Sequence, residues 1–420
     1  MFQKIKLFLF ENTSLYQTIA KNTLWLLGGQ FVGRLVRAGL VIYAARVLGP
    51  ASWGAFSYAL SFSAFLAIFS DSGINALITK EASREPELRK KYFATGFFIK
   101  LVILLLVIGG VLFASPYLSR IPEAVSLIPI IVFVFAFDSL RDLGSSFARA
   151  LEKMEIESVV NILTNFFIVA LGFIFLLTNL SSRSLAIAYA LGSGLGMAVI
   201  LIYLKDYFGN IFGNFTKNLV KPILTKTWVF GLVGIMGATM INTDIIMLGW
   251  LRNAAEVGFY SAAQKPIQLL YVLPAFLASS VFPALARFGK SDKEKFKKLF
   301  RQFVKITLLA ALPLALGGLV FARPIIEILY GKEYLTSVKT LQILSPTLLF
   351  VFPAMIIGNA LFALDKQRNL LAYVLLGIFG NIVFNFLLIP RFGIEGAALS
   401  TLLNQSLLAL YSFFIVKKWL

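Results

Sequence analysis

The chain has 420 residues, 59% hydrophobic and only 14% charged, with a formal net charge of +19, no cysteine and no histidine. Soluble chains of this length carry roughly a quarter charged residues, so this composition, with a mean hydropathy of +0.84, predicts a multi-pass α-helical membrane protein. The missing Cys and His exclude disulfides, thiolate nucleophiles and thiolate metal sites, together with the usual metal ligand and neutral-pH proton shuttle.

Apolar runs bounded by charges or Gly/Pro clusters predict spans over 22–46, 53–79, 92–114, 124–148, 157–178, 184–204, 227–251, 256–286, 303–322, 339–363, 369–390 and 394–416. Each is near the ~20 residues that a helix needs to cross the hydrocarbon core. No run has the basic lead and small-residue cleavage site of a secretory signal, so the first is expected to remain as a span. Twelve spans put both termini on one side. Loops on that side hold 25 of the 39 Lys and Arg, against 8 on the other. That asymmetry predicts cytoplasmic termini in the plasma (inner) membrane. The net charge then reads as a topology signal and an attraction to anionic membrane lipids. Without a basic soluble domain, no nucleic-acid partner is expected.

The two halves repeat. WGAFSYAL (53–60) matches VGFYSAAQ (257–264) at an offset of 204, and YFATGFFIKLVILLLVIGGVLFA (92–114) matches KLFRQFVKITLLAALPLALGGLVFA (298–322). Ala150-Leu-Glu-Lys153 likewise pairs with Ala363-Leu-Asp-Lys366. The expected organisation is an all-α integral membrane fold of about twelve helices in two pseudo-symmetric six-helix lobes around a central cavity. Residues 1–210 form the first lobe, 211–226 a cytoplasmic linker and 227–420 the second lobe. Duplicated bundles of this kind recur in transporters that work by alternating access.

Four stretches carry a family resemblance: AARVLGPASWGAFSYALSF (44–62), FSDSGINALITKEASR (69–84), NTDIIMLGWLRNAAEVGFYSAAQK (242–265) and NFLLIPRFGIEGAALSTLLNQ (385–405). With these the chain resembles the polysaccharide transporter branch of the multidrug/oligosaccharidyl-lipid/polysaccharide exporter superfamily, nearest to the O-antigen or exopolysaccharide repeat-unit flippases. The resemblance implies a non-enzymatic flippase for a polyprenyl-(pyro)phosphate oligosaccharide. Glycosyltransferases and a glycan polymerase are then candidate partners, no resident cofactor is expected, and the buried acids make H⁺ or Na⁺ a candidate coupling ion.

Charges inside the spans point to candidate sites, because each costs at least ~2.5–3.5 kcal/mol at mid-bilayer unless paired, hydrated or brought to the interface. Arg34 and Arg37, one helical turn apart, lie too deep to reach the surface; Arg34 is about 18 Å along the helix from Asn22 at ~1.5 Å per residue. Guanidinium groups bind phosphate oxygens by bidentate, charge-assisted hydrogen bonds. Arg34, Arg37 and Lys265 are therefore candidate phosphate ligands, the alternative being interhelical ion pairs with Asp244 or Asp138. Asp71, Asp244 and Asp138 are candidate coupling groups, although Asp71-Ser72-Gly73 also reads as a helix distortion, and Asp138, Arg141 and Asp142, on one helix face, as the setting of a self-neutralising structural pair. Lys100 and Lys305 are expected to extend to the head groups. Gln30, Asn161, Asn165, Asn242, Gln264, Asn381 and Asn385 are either sugar contacts or interhelical hydrogen bonds.

Three rival functions remain at this level. A multidrug antiporter calls for acidic cavity charges, whereas the first span has two arginines and no acid. A peptidoglycan lipid-precursor flippase shares a cationic cavity. A membrane glycan polymerase or ligase calls for a large outer loop with clustered catalytic groups, and the longest here, 323–338, holds only Glu327 and Glu333 as acids.

Overall fold

The computed structural model describes residues 15–71, 73–364 and 366–419, and every regular element among them is a helix. In chain order these are α1 (Leu15–Asp71), α2 (Ile74–Arg84), α3 (Arg89–Leu118), α4 (Pro122–Ala150), α5 (Met154–Thr178), α6 (Ser182–Tyr203), the short α7 (Lys205–Phe208) and α8 (Ile211–Asn214), and α9 (Lys217–Leu251). There follow α10 (Ala254–Leu270), α11 (Val272–Ser291), α12 (Lys293–Val320), α13 (Ala322–Tyr330), α14 (Ser337–Leu344), α15 (Leu348–Ala363) and α16 (Gln367–Trp419). Among the described residues, eight helices are long and apolar enough to cross a membrane. The protein is a multi-pass helical membrane protein.

Two of the longest elements are each two helices joined across a glycine. In α1 the break is Gly49 (φ 72°, ψ 170°), followed by Pro50, and in α16 it is Gly393 (φ 57°, ψ −131°). Side chains exclude L-residues from such backbone geometry, so glycine is the residue that allows the chain to change course there. The run expected over 53–79 is interrupted: α1 ends at Asp71, Gly73 adopts φ 83° and α2 begins at Ile74. The apolar pattern continues through this point, and only Asp71-Ser72-Gly73 marks the distortion.

The chain divides into two compact units. Met1–Ala44, Phe62–Leu118 and Ala124–Ile235 form one; Ala45–Ser61, Ser119–Glu123 and Met236–Leu420 form the other. In the first unit, α5 is the helix on which α1 and α6 are seated. A Cβ on Gly29 of α1 would overlap Ser158 of α5, and one on Gly33 would lie 2.6 Å from Asn165 and 2.7 Å from Asn161. On the α6 side, Gly192 is pressed against the backbone of Ile168 and Gly196 against Thr164. Small residues four apart let helix backbones approach closely, which is how helices associate when lipid removes the hydrophobic drive between them. Beyond α6, Phe208 of α7 packs edge-on against Phe93 and Phe97 of α3, with centroids 5.2 and 5.5 Å apart.

The second unit contains a contact between repeat equivalents. A Cβ on Gly54 would overlap the Ala254 carbonyl oxygen, and one on Gly258 the Pro50 carbonyl oxygen. Ser261 Oγ donates to Ser57 Oγ at 3.2 Å across a separation of 204 residues. Gly54 with Gly258, Pro50 with Ala254 and Ser57 with Ser261 all stand at the offset seen in the sequence repeat, so the contact is reciprocal about a local two-fold. Beside it, Tyr334 Oη donates to the Ala45 carbonyl oxygen at 2.7 Å, and burial pushes the phenol above its ordinary range, keeping it a donor.

Candidate functional site

Arg34 and Arg37 stand on the part of α1 that follows the Gly29/Gly33 seat on α5. Arg34 is exposed and, among the described residues, forms no ion pair or hydrogen bond. Arg37 is half-buried, with its guanidinium carbon 5.5 Å from the centroid of the Tyr189 ring of α6. Its Nε is buried without a hydrogen-bond acceptor among the described residues. The Arg37 charge also acts on Asp138. That carboxylate is nevertheless engaged: Arg141 Nη1 donates to Asp138 Oδ1 at 2.7 Å, and Arg141 Nη2 to Asp142 Oδ1 at 3.0 Å. Arg141 thus bridges both carboxylates of α4, as the i, i+3, i+4 spacing predicts, and among the described residues neither arginine of α1 is ion-paired to them.

Asp244, on α9, is the centre of a buried polar cluster within the second unit. It is 3% exposed and accepts from four neutral donors. Tyr260 Oη (2.6 Å) and Thr401 Oγ1 (2.7 Å) donate to Oδ2; Asn381 Nδ2 (2.9 Å) and Asn385 Nδ2 (2.7 Å) donate to Oδ1. No Lys or Arg pairs with it among the described residues. Asn385 Oδ1 is buried there with no donor, so the cluster holds a carboxylate and an unspent acceptor side by side.

Lys265 is half-buried on α10 in the second unit. Asp71 closes the second half of α1, and its side chain lies outside the described residues. Lys100 departs from the expected extension to the head groups: it is fully buried, and its Nζ donates to Asn75 Oδ1 at 2.9 Å. The break at Gly73 turns α2 so that Asn75 supplies an acceptor at that depth. Its repeat equivalent Lys305 is exposed. Of the residues read as sugar contacts or interhelical hydrogen bonds, Asn381 and Asn385 of α16 bond Asp244 of α9, the interhelical alternative, and Asn165 donates to Asn161 Oδ1 at 2.8 Å beneath Gly33. Gln30 is exposed. Tyr189, Asn75 and Thr401 were not picked out by sequence reasoning; Asn75 and Thr401 sit inside two of the four family-like stretches, while Tyr189 carries no distinguishing local pattern.

The comparisons with known proteins agree with this architecture. A family model described as "Polysaccharide biosynthesis protein" matches residues 19–289, and a second, described as "MatE", matches residues 231–387. The chain is 23% identical over 405 residues to a Shigella flexneri protein named "Putative O-antigen transporter", covering 91% of this chain and 94% of that one. It is 22% identical over 380 residues to "Probable low-salt glycan biosynthesis flippase Agl15" of Haloferax volcanii, covering 89% of this chain and 79% of the relative. Among solved structures, "Lipid II flippase MurJ, inward closed conformation" shares the fold with a TM-score of 0.75 at 19% identity, over 93% of this chain and 86% of that one. With its first family match spanning well over half of its length, the chain belongs to the polysaccharide biosynthesis protein family.

Proposed function

We propose that the protein is a flippase that carries a lipid-(pyro)phosphate-linked oligosaccharide from the inner to the outer leaflet by alternating access. The observation that carries this reading is the pair Arg34 and Arg37, two permanent cations one turn apart in an apolar helix, neither ion-paired to an acid among the described residues. A cation retained at such depth without an acidic partner is costly unless an anion visits it, and a pyrophosphate offers several acceptor oxygens to guanidinium forks. Lys265, half-buried on α10, is the candidate phosphate ligand of the second unit. The relatives named as an O-antigen transporter and a glycan flippase support the substrate class. No enzymatic step is invoked.

Moving a polar head group against a gradient requires energy, and Asp244 is the favoured place for coupling. A carboxylate held by neutral donors beside a spare carbonyl acceptor suits exchange of H⁺ or Na⁺. Asp138, already bound by Arg141, and Asp71 are the lesser candidates. The charge asymmetry of the loops supports cytoplasmic termini in the plasma membrane, with glycosyltransferases and a glycan polymerase as working partners and residues 211–226 as the connection between the six-helix lobes 1–210 and 227–420.

The test is complementation of a flippase-deficient strain. The Arg34→Ala/Arg37→Ala double variant is expected to reach the membrane at wild-type abundance yet lose surface glycan, and Arg34→Lys/Arg37→Lys to recover it only in part, because an ammonium cannot grip phosphate bidentately. Full export by the alanine double variant defeats the phosphate-clamp reading.

A further inference from the structure

We propose that Tyr189 is a positioning residue that holds the Arg37 guanidinium ready for an anionic phosphate; the assignment rests on reading Arg34 and Arg37 as the phosphate ligands. Two glycine seams on one helix bring the partners together. Gly29 and Gly33 draw α1 onto Ser158, Asn161 and Asn165 of α5, and Arg37 follows one turn later. Gly192 and Gly196 draw α6 onto Ile168 and Thr164 of the same helix, and Tyr189 precedes them by one turn. The ring is 2% exposed, so its place is fixed by packing, and it presents itself to the guanidinium carbon at 5.5 Å.

That arrangement leaves most of Arg37's hydrogen-bonding capacity unspent. An ion pair would satisfy the guanidinium with an acid that a phosphate must then displace; an aromatic face stabilises the cation while occupying none of its N–H groups. Asp138, the acid whose field reaches Arg37, is tied to Arg141. Arg37 is thus an anchored cation, preorganised by Tyr189, whereas Arg34 is an exposed arm. Preorganisation spares the rotamer entropy that a long side chain loses on binding.

Binding of farnesyl pyrophosphate to the full chain in nanodiscs tests this. Tyr189→Phe is expected to bind within about twofold of wild type, and Tyr189→Met, which keeps bulk but no aromatic face, to bind about 3- to 30-fold more weakly, the range of a partly desolvated cation–π contact. In an Arg37→Ala background Tyr189→Met is expected to have no further effect. A general packing role predicts a loss that persists in that background, and this result overturns the proposal. Should Tyr189→Met fail to fold, stepwise fluorinated phenylalanines at position 189 keep the shape while draining the ring quadrupole. Affinity falling with each fluorine supports the assignment, and flat affinity overturns it. Sensitivity to Arg37→Ala without sensitivity at Tyr189 removes the positioning role alone. Insensitivity to Arg37→Ala sinks the phosphate clamp and this assignment with it.

Discussion

A buried carboxylate with a cation beside it is a finished ion pair, whereas one surrounded by hydroxyls and amides keeps its charge unanswered. Asp138 is of the first kind and Asp244 of the second, and this difference ranks them as coupling groups. Hydrogen bonds to a charged group contribute roughly 1.5–3 kcal/mol each, so four of them allow Asp244 to stay within the helices without an ammonium or guanidinium. A ligand that binds only the folded state raises its stability as RT ln(1 + [L]/Kd). The thermal midpoint of the wild-type protein is therefore expected to rise with Na⁺, and Asp244→Asn to abolish the response. A wild-type midpoint indifferent to Na⁺ removes Asp244 as a Na⁺ coupling site. The charges themselves were legible from sequence because a hydrophobic background exposes them. Their partners were not: Lys100 and Lys305 occupy equivalent places, yet only the former meets an asparagine, and Tyr189 lies more than 150 positions from the arginine it faces.

At the scale of elements, glycines divide into those that touch something and those that do not. Gly54 and Gly258 each abut a carbonyl of the opposite repeat, whereas a Cβ at Gly109 would meet nothing within 4 Å. The same substitution should therefore have opposite signs. Gly54→Ala or Gly258→Ala is expected to lower stability by about 1–3 kcal/mol, the usual cost of overpacking. Gly109→Ala is expected to be neutral or to gain up to ~1 kcal/mol from better helix propensity. Thermal unfolding of the three variants in one detergent checks this, and equal losses at all three sites count against the seam. Helix positions were largely readable, since α3 to α6 coincide with the apolar runs to within a few residues. Interruptions were legible in part: Asp71-Ser72-Gly73 marks the break at Gly73, whereas the division at Tyr271 between α10 and α11 has no polar boundary. Hydropathy reports how deep a residue sits, and it is blind to backbone direction.

For the molecule as a whole, the repeat offset of 204 was visible in eight residues of sequence, and the structure turns it into a contact, Ser57 on Ser261. The chain has no cysteine, so Ser57→Cys/Ser261→Cys tests the contact without background. Hydroxyl oxygens 3.2 Å apart place the sulfurs within reach of the ~2.05 Å disulfide bond after a small adjustment. The oxidised double variant is expected to migrate as an internally cross-linked monomer, to lose export, and to regain it on reduction. Wild-type export by the oxidised form means that this seam never opens during the cycle. A residue resting on its own repeat image is otherwise the mark of an isologous interface between identical subunits. In a true homodimer every substitution appears on both sides at once. Here the halves share one polypeptide, so each is free to drift: Leu40 and Ser61 stand in the first half where Asp244 and Lys265 stand in the second. Covalent fusion released the two copies from identity, and that release lets one half carry arginines while the other carries a carboxylate.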